Sequence, residues 1–521
     1  MSTYRATTPL SREMFGRSKS PAVAPSDSVD SQNNDPLAEI PKTKWERLWP
    51  AMACGSGLFS DGYINNVIGS VSTMLSQIYG AAYTKSAAKK NVSAITFAGT
   101  VAGMLIFGYT SDKWGRANTL TLSTVILIVF AALGAGSYGY HGSTQGLFAA
   151  LTAYRFLVGV GIGGEYPAGS VACSEASGEL KAGTRNRWFI LFTNVMIDWG
   201  FVIGAFVPYL LVVICTENHL RAAWRISLGL GVVPPLLLFY LRLKLKEPEE
   251  YTRESMKHAR IPYGLVIKYY WWRLFVVSLI WFLYDFSSYS FGIYSSTILA
   301  NILPATAPLS QSFGWNTVIN LFYIPGAMLG SFFSDWVGPR YALAIGVTLQ
   351  ALVGFIMAGL YPHLSQPGNV GGFVVVYGIF LSLGEFGPGD NIGLIASKTC
   401  ATGVRGQYYA VAAAIGKVGA FVGTYVFPYI EAAGSDVNSS AQYPFYVSSS
   451  LCILSAFLVL FCVPHIGQDT ITREDIKFRE YLESRGWDTR QLGLRKGENG
   501  SEEGVVEQMN SGEHEKQGGR S

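Results

Sequence analysis

The sequence predicts an all-α polytopic membrane protein, with twelve transmembrane helices in two bundles of six. Three observations carry that prediction. Of the 521 residues, 49% are hydrophobic and only 14% charged, against about 25% charged in a soluble domain. The mean hydropathy is positive, +0.26. The apolar residues fall in blocks of about 20, the length of helix that crosses a hydrocarbon core of about 30 Å. Blocks of that length, rather than alternating segments of about ten residues, exclude an outer-membrane barrel. The composition also excludes a soluble enzyme, a disordered chain and a single-anchor receptor. A net charge of +4 is too small to point to nucleic acid. Glycine, at 58 residues, exceeds the usual share of about 7%, as close helix packing in a membrane requires.

The elements follow in order. Residues 1–48 are polar, rich in Ser, Asp, Asn and Pro, and lack the apolar core of a cleavable signal peptide. They read as a disordered cytoplasmic tail. The amino-terminal bundle, 49–243, holds apolar blocks at 49–71, 93–111, 117–137, 146–168, 187–214 and 221–243. A charged connector, 244–271, separates it from the carboxyl-terminal bundle, 272–465. There the blocks run at 272–299, 314–336, 341–361, 370–397, 406–430 and 443–465. Residues 466–521 form a second charged cytoplasmic tail.

Positive charge orients the chain, because Lys and Arg collect in cytoplasmic loops. The loops after blocks 2, 4, 6, 8 and 10 hold Lys113 and Arg116; Lys181, Arg185 and Arg187; Arg242, Lys244 and Lys246; Arg340; and Lys398 and Arg405. Both termini are therefore expected to be cytoplasmic. The loop after block 1 departs from the rule with Lys85, Lys89 and Lys90. Two glycosylation sequons, at Asn91 and Asn438, fall in expected outside loops. The six cysteines have no paired or metal-type spacing and read as small hydrophobes. No metal and no cofactor is expected.

The chain punctuates its two halves alike. Gly108-Tyr-Thr-Ser-Asp112-Lys-Trp-Gly115-Arg116 joins blocks 2 and 3, and Gly330-Ser-Phe-Phe-Ser-Asp335-Trp-Val-Gly338-Pro-Arg340 joins blocks 8 and 9. The paired placement points to an internal repeat. Gly permits a tight turn, and the Asp and Arg can clamp neighbouring helix ends. Block 4 adds Arg155-Phe-Leu-Val-Gly159-Val-Gly161-Ile-Gly163, whose glycines permit close packing. These segments resemble the loop signature and the RxxxGxGxG segment of the major facilitator superfamily. That resemblance implies two six-helix bundles rocking about a central site.

An ionisable group at membrane depth costs roughly 3 kcal/mol on insertion scales and reads as functional. Seven stand out: Asp61, Glu165, Asp198, Asp285, Glu385, Asp390 and Lys417. Many carboxylates and one Lys suit proton-coupled handling of an anion, with Lys417 pairing the substrate's charge. Steps of four put Trp281, Asp285 and Tyr289 on one face of block 7. They make a stripe of N–H, carboxyl and hydroxyl groups fit for phosphate oxygens. Block 10 reads Gly384-Glu-Phe-Gly387-Pro388-Gly389-Asp390 and is expected to break, exposing backbone to a cavity.

These segments resemble the phosphate:proton symporter branch. Gly57-Leu-Phe-Ser-Asp61 matches that branch's proton-carrying Asp, and Gly163-Gly-Glu165-Tyr166-Pro167 is similar to its GGDYP. The resemblance implies that Tyr166 contacts phosphate, that Trp281, Asp285 and Tyr289 form a binding triplet, and that Lys417 binds substrate. Three departures stand out: Glu165 in place of Asp, Gly389 followed by Asp390 where an Asn is expected, and Asn194 and Asp198 in place of a Gln. Gly389 implies a larger pocket, and Asp390 a group that binds hydroxyls or a cationic head. With the tail segment Phe478-Arg-Glu-Tyr481-Leu-Glu-Ser-Arg-Gly486-Trp487, the departures resemble fungal glycerophosphodiester permeases.

The resulting expectation is a monomeric plasma-membrane symporter that imports an anionic phosphodiester, glycerophosphoinositol or glycerophosphocholine, with protons. Tyr166, Trp281, Asp285, Tyr289, Asp390 and Lys417 would bind substrate, and Asp61, Asp285 and Glu165 would couple protons. Gly108, Asp112, Gly115, Arg116, Asp335, Gly338, Arg340 and Arg155 would gate or brace the bundles. The alternatives are a symporter of inorganic phosphate or another organic anion, an exporter of a fungal secondary metabolite, and a nutrient sensor that binds without transporting. No nucleophile–base arrangement, HExxH or P-loop points to an enzyme.

Overall fold

The computed structural model describes residues 43–304 and 307–493, and among them all regular structure is helical. Twelve long helices form in the expected order. Helix α1 runs through Lys44–Gly55, a tighter turn at Ser56–Leu58, and Phe59–Tyr79. Then come α2 (Ala88–Lys113), α3 (Arg116–Ala135), α4 (Thr144–Ser177), α5 (Arg185–Cys215) and α6 (Glu217–Arg242). The second series is α7 (Tyr263–Ile302), α8 (Leu309–Val337), α9 (Pro339–Leu364), α10 (Val370–Lys398), α11 (Arg405–Ala432) and α12 (Val437–Cys462). Among the described residues, eleven helices are long and apolar enough to cross a membrane. The remaining one is α1, made polar by Ser60, Asp61, Asn65, Asn66, Ser70 and Ser72, all buried. Its polar face meets protein: the Asn66 amide donates to the Phe201 carbonyl and to Asn320 Oδ1, at 2.5 and 2.9 Å.

The packing repeats between halves. Within them α1 packs on α5 and α7 on α11; between them α2 packs on α11 and α5 on α8. The α2–α4 crossing explains the glycine motif. A Cβ at Gly159 would sit 2.2 Å from the Thr96 carbonyl, and one at Gly99 2.0 Å from the Phe156 carbonyl. The two backbones touch, which only glycine allows.

Block 10 was expected to break, and it does not. Through Glu385–Gly389 the helix widens into a π-type turn and continues from Asp390 to Lys398. Such a turn absorbs the donor that Pro388 lacks while keeping the helix axis. Helix α4 makes the same wide turn at Glu165–Ser170, around Pro167.

The two motif loops turn on Gly115 (φ 112°) and Gly338 (φ 90°), in the region that glycine favours. Each aspartate reaches across to the other half. Asp112 accepts from the Gly406 and Gln407 backbone N–H groups at the start of α11, at 3.0 and 2.9 Å. Asp335 accepts from the Arg187 N–H at the start of α5, at 3.3 Å. The arginines differ. Arg116 pairs with Asp112 at 2.6 Å and Glu175 at 3.1 Å, and Glu175 holds Arg405 at 3.0 Å. Arg340 turns away from Asp335 and donates to the Leu460 carbonyl. Arg155 is buried and donates to the carbonyls of Val92 and Ile64, at 2.7 and 3.4 Å.

Three boundaries shift. Helix α7 starts nine residues before the apolar block, at Tyr263, and a short helix, Glu249–Glu254, precedes it. The connector is thus partly helical. The carboxyl-terminal segment folds into an amphipathic helix, α13 (Thr470–Ser484). Its Phe478 and Leu482 are buried against Tyr270 and Tyr408. Asn91 and Asn438 are exposed in the first turns of α2 and α12 rather than in loops. All six cysteines are free, four of them buried. The expected amino-terminal tail lies outside the described residues up to Lys42, as does the stretch from 494.

Candidate functional site

A cavity of about 50 Å³ lies between α4 and α5 on one side and α7, α10 and α11 on the other. Tyr166, Trp281, Asp285, Tyr289, Asp390 and Lys417 all line it. Lys417 is 1% exposed. Its ammonium lies 3.5 Å from Asp61 Oδ2 and 3.7 Å from Asp285 Oδ2, donates to the Tyr289 hydroxyl, and stands 5.0 Å from the centre of the Tyr166 ring. Asp61 Oδ2 also accepts from the hydroxyls of Tyr166 and Tyr289, at 2.6 and 3.1 Å, and its Oδ1 accepts from Asn65 at 2.6 Å. One buried base thus faces two carboxylates at distances longer than a tight, charge-assisted bond of about 2.7–2.9 Å. Trp281 packs edge-on against Tyr409, with ring centres 5.4 Å apart.

The α10 residues of the lining are acidic. Asn194 of α5 donates to Glu385 Oε2 at 3.1 Å and to Asp390 Oδ1 at 2.9 Å. Tyr284 donates to Glu385 Oε1 at 2.9 Å. Asp198, one turn after Asn194, is wholly buried, and neither of its carboxylate oxygens has a hydrogen-bond partner. Gly389 does not enlarge the pocket as expected. A Cβ there would lie 2.1 Å from Glu385 Oε2 and 2.8 Å from the Tyr284 hydroxyl, so those two groups occupy the space.

Glu165 is not in the cavity wall. It is clamped by Arg242, at 2.6 Å through each of two guanidinium nitrogens, and Ser123 donates to it at 3.2 Å. As one of the basic residues after block 6, Arg242 gives no local sign of this pair. Tyr284, Tyr409 and Asn194 line the cavity without having been picked out as binding residues. Tyr284 could have been found as the neighbour of Asp285, and Asn194 stood out only as a departure from the family pattern, whereas Tyr409 carries no local signal.

At the end of the bundle away from Asp112, a vestibule of about 1130 Å³ opens between the halves. Ser72, Ser76, Lys89, Lys90, Ile293 and Thr424 are on its wall. Ile293 is one helical turn from Tyr289, so the vestibule floor lies one turn above the cavity. Two of the three lysines that depart from the charge rule, Lys89 and Lys90, thus line it, and Lys90 stands 5.5 Å from the ring centres of both Tyr425 and Tyr429.

The family model of sugar (and other) transporters matches residues 49–265 and 250–476. The chain belongs to that family. It is 52% identical over 471 residues to the glycerophosphodiester transporter GIT2 of Candida albicans, covering 89% of this chain and 87% of the relative. It is also 52% identical over 459 residues to the glycerophosphocholine permease GIT4 of Candida albicans, covering 87% and 85%. Among solved structures, the major facilitator superfamily proton:xylose symporter XylE, bound to 6-bromo-6-deoxy-D-glucose, superposes with a TM-score of 0.69 at 17% identity. That match covers 86% of this chain and all of the other. The fold is therefore the major facilitator fold, and the relatives are transporters by name, not enzymes.

Proposed function

We propose that the chain is a proton-coupled symporter that imports glycerophosphodiesters across the plasma membrane, as a monomer with both termini cytoplasmic. The observation that supports this most is Lys417: among the described residues lining the cavity it is the one base, held loosely by Asp61 and Asp285. A phosphodiester needs such a cation and hydroxyl donors around it. Tyr166, Tyr289 and Trp281 supply the donors. The relatives named for glycerophosphodiesters and glycerophosphocholine, at 52% identity, favour a diester over free phosphate.

Coupling follows from competition for one ammonium. When the phosphate takes Lys417, Asp61 and Asp285 lose their counter-ion. A buried carboxylate left unpaired costs several kcal/mol, and protonation removes that cost. Substrate binding therefore favours proton binding, and by linkage protons favour substrate. A monoanion carried with more than one proton moves positive charge inward, worth about 2.3 kcal/mol per charge per 100 mV. Alternating access then requires the Asp112–Arg116–Glu175–Arg405 network to part as the vestibule closes. Glu165, tied to Arg242, braces the first half rather than moving protons.

The test is uptake of labelled glycerophosphocholine, glycerophosphoinositol and phosphate in yeast lacking its own permeases for them. Uptake of a diester, faster in acid than at neutral pH, is the expected result. Uptake of phosphate alone, or of nothing with the protein at the cell surface, overturns the reading.

A further inference from the structure

The cavity has two groups of charged side chains, one built around Lys417 and one of carboxylates alone, and the reading above uses only the first. Around Lys417 the ion pairs leave a place for an anion. The same cavity is lined by Glu385 and Asp390, with Asp198 close to both. None of the three has an ion pair with Lys or Arg among the described residues, whereas Glu165, Glu175 and Asp112 all do. Asp390 lines the cavity at 1% exposure, and its Oδ2 has no hydrogen-bond partner. Neutral donors, Asn194 and Tyr284, are the partners this group does have. Such a group lacks a cation.

A metal is not that cation: among the described residues no three His, Cys, Asp or Glu side chains are grouped to hold one. Four aromatic residues, Trp281, Tyr284, Phe189 and Phe201, line the same cavity. Carboxylates beside aromatic faces are the surroundings that bind quaternary ammonium groups, which have no N–H to donate and are held by charge and by ring faces. We propose that Glu385 and Asp390, backed by Asp198, form the subsite for a cationic head group, an ammonium or trimethylammonium, on the far side of the phosphodiester from Lys417. The inference rests on the reading of the chain as a glycerophosphodiester transporter and goes further by naming the class of diester. A zwitterion satisfies both groups at once. A neutral polyol such as inositol satisfies the Lys417 group and leaves the acidic one without its counter-charge.

The experiment compares three labelled diesters in yeast expressing the full chain: glycerophosphocholine, glycerophosphoinositol, and the neutral isostere of the first, in which a tert-butyl group replaces trimethylammonium. The expected result is that the isostere is taken up at least about tenfold less efficiently than glycerophosphocholine, a difference of about 1.4 kcal/mol. In Asp390→Asn the ratio of glycerophosphocholine to isostere uptake falls toward one, and Asp390→Glu restores it. Equal uptake of isostere and glycerophosphocholine by the unaltered protein overturns the inference and leaves diester transport standing. A ratio unchanged in Asp390→Asn also overturns it. Uptake of none of the three, with the protein at the surface, removes the diester reading and this inference with it.

Discussion

Helices α4 and α10 make the same wide turn at the same place in each half, and both turns begin Gly-Glu-aromatic: Gly164-Glu165-Tyr166 and Gly384-Glu385-Phe386. What surrounds the two glutamates differs. Glu165 is gripped through two bonds of 2.6 Å by Arg242, the last residue of α6. The matching helix of the second half, α12, ends Leu458-Val-Leu-Phe-Cys462 and supplies no base. Glu385 is left with an amide and a phenol. One copy of the repeat has been closed into a brace, and the other left open to a cavity. The contrast separates structural from functional charge in this protein. The Arg242–Glu165 pair is short and bidentate. The groups assigned to transport sit at longer range, as Lys417 does with its two aspartates, or lack a counter-ion altogether.

Substitutions can break that distinction. The largest effect is expected at Lys417. Lys417→Ala should reduce diester uptake to background while surface labelling stays normal, and ordinary uptake would remove the proposed phosphate ligand. Asp61→Asn should come next, abolishing acid-driven accumulation but leaving exchange of labelled for unlabelled substrate across the membrane; accumulation that survives would refute its proton role. The comparison of the glutamates follows. Arg242→Met leaves Glu165 buried and unpaired, which costs about 3–5 kcal/mol and should lower the detergent-solubilised melting temperature by several degrees. Glu385→Gln removes a charge with no counter-ion and should leave the melting temperature near or above that of the parent. Similar losses from both would erase the difference between the two turns.

The smallest effect concerns α13. Burial raises Asp475 to about 6 despite its contact with Arg405, and burial raises Glu250, which faces Arg405, Glu175, Asp475 and Arg253, to about 8. Both values lie above the unfolded ones, so the folded state binds more protons than the unfolded state through this range. Stability then falls as pH rises. Docking of α13, followed by hydrogen exchange of residues 470–484, should be tighter at pH 6 than at pH 8. Asp475→Asn should flatten the lower part of that window and Glu250→Gln the upper part.

Much of this was legible in the sequence. Spans were visible because lipid demands long apolar runs, and each of the twelve blocks falls on a helix, although α1, α4 and α7 run eight or nine residues past theirs. The stripe Trp281, Asp285, Tyr289 was visible because helical periodicity is local. The Lys417 cluster could be expected because a charge at membrane depth is conspicuous. What stayed hidden were partnerships across the chain. Arg242 reads as one more basic residue after block 6 until α6 carries it against Glu165, 77 residues away in sequence. Asn194 gains its meaning only from Glu385 and Asp390, which α10 brings to it. The fate of block 10 depended on whether Pro388 would break the helix or be absorbed in a wider turn, and the packing of α10 against α8 and α9 decides that.

The lysines lining the vestibule bear on events before any substrate is bound. In the proposed orientation, Lys89 and Lys90 face the external medium beside a low-dielectric funnel about 1130 Å³ in volume. A fixed positive potential there draws anions inward over roughly a Debye length, about 10 Å at 0.1 M salt. The encounter rate of an anionic or zwitterionic diester, whose phosphate leads into the funnel, then depends on the ionic strength of the medium. A cell scavenging dilute phosphodiesters through this carrier would capture them fastest in fresh water and more slowly in brine, with the chemistry at Lys417 unchanged.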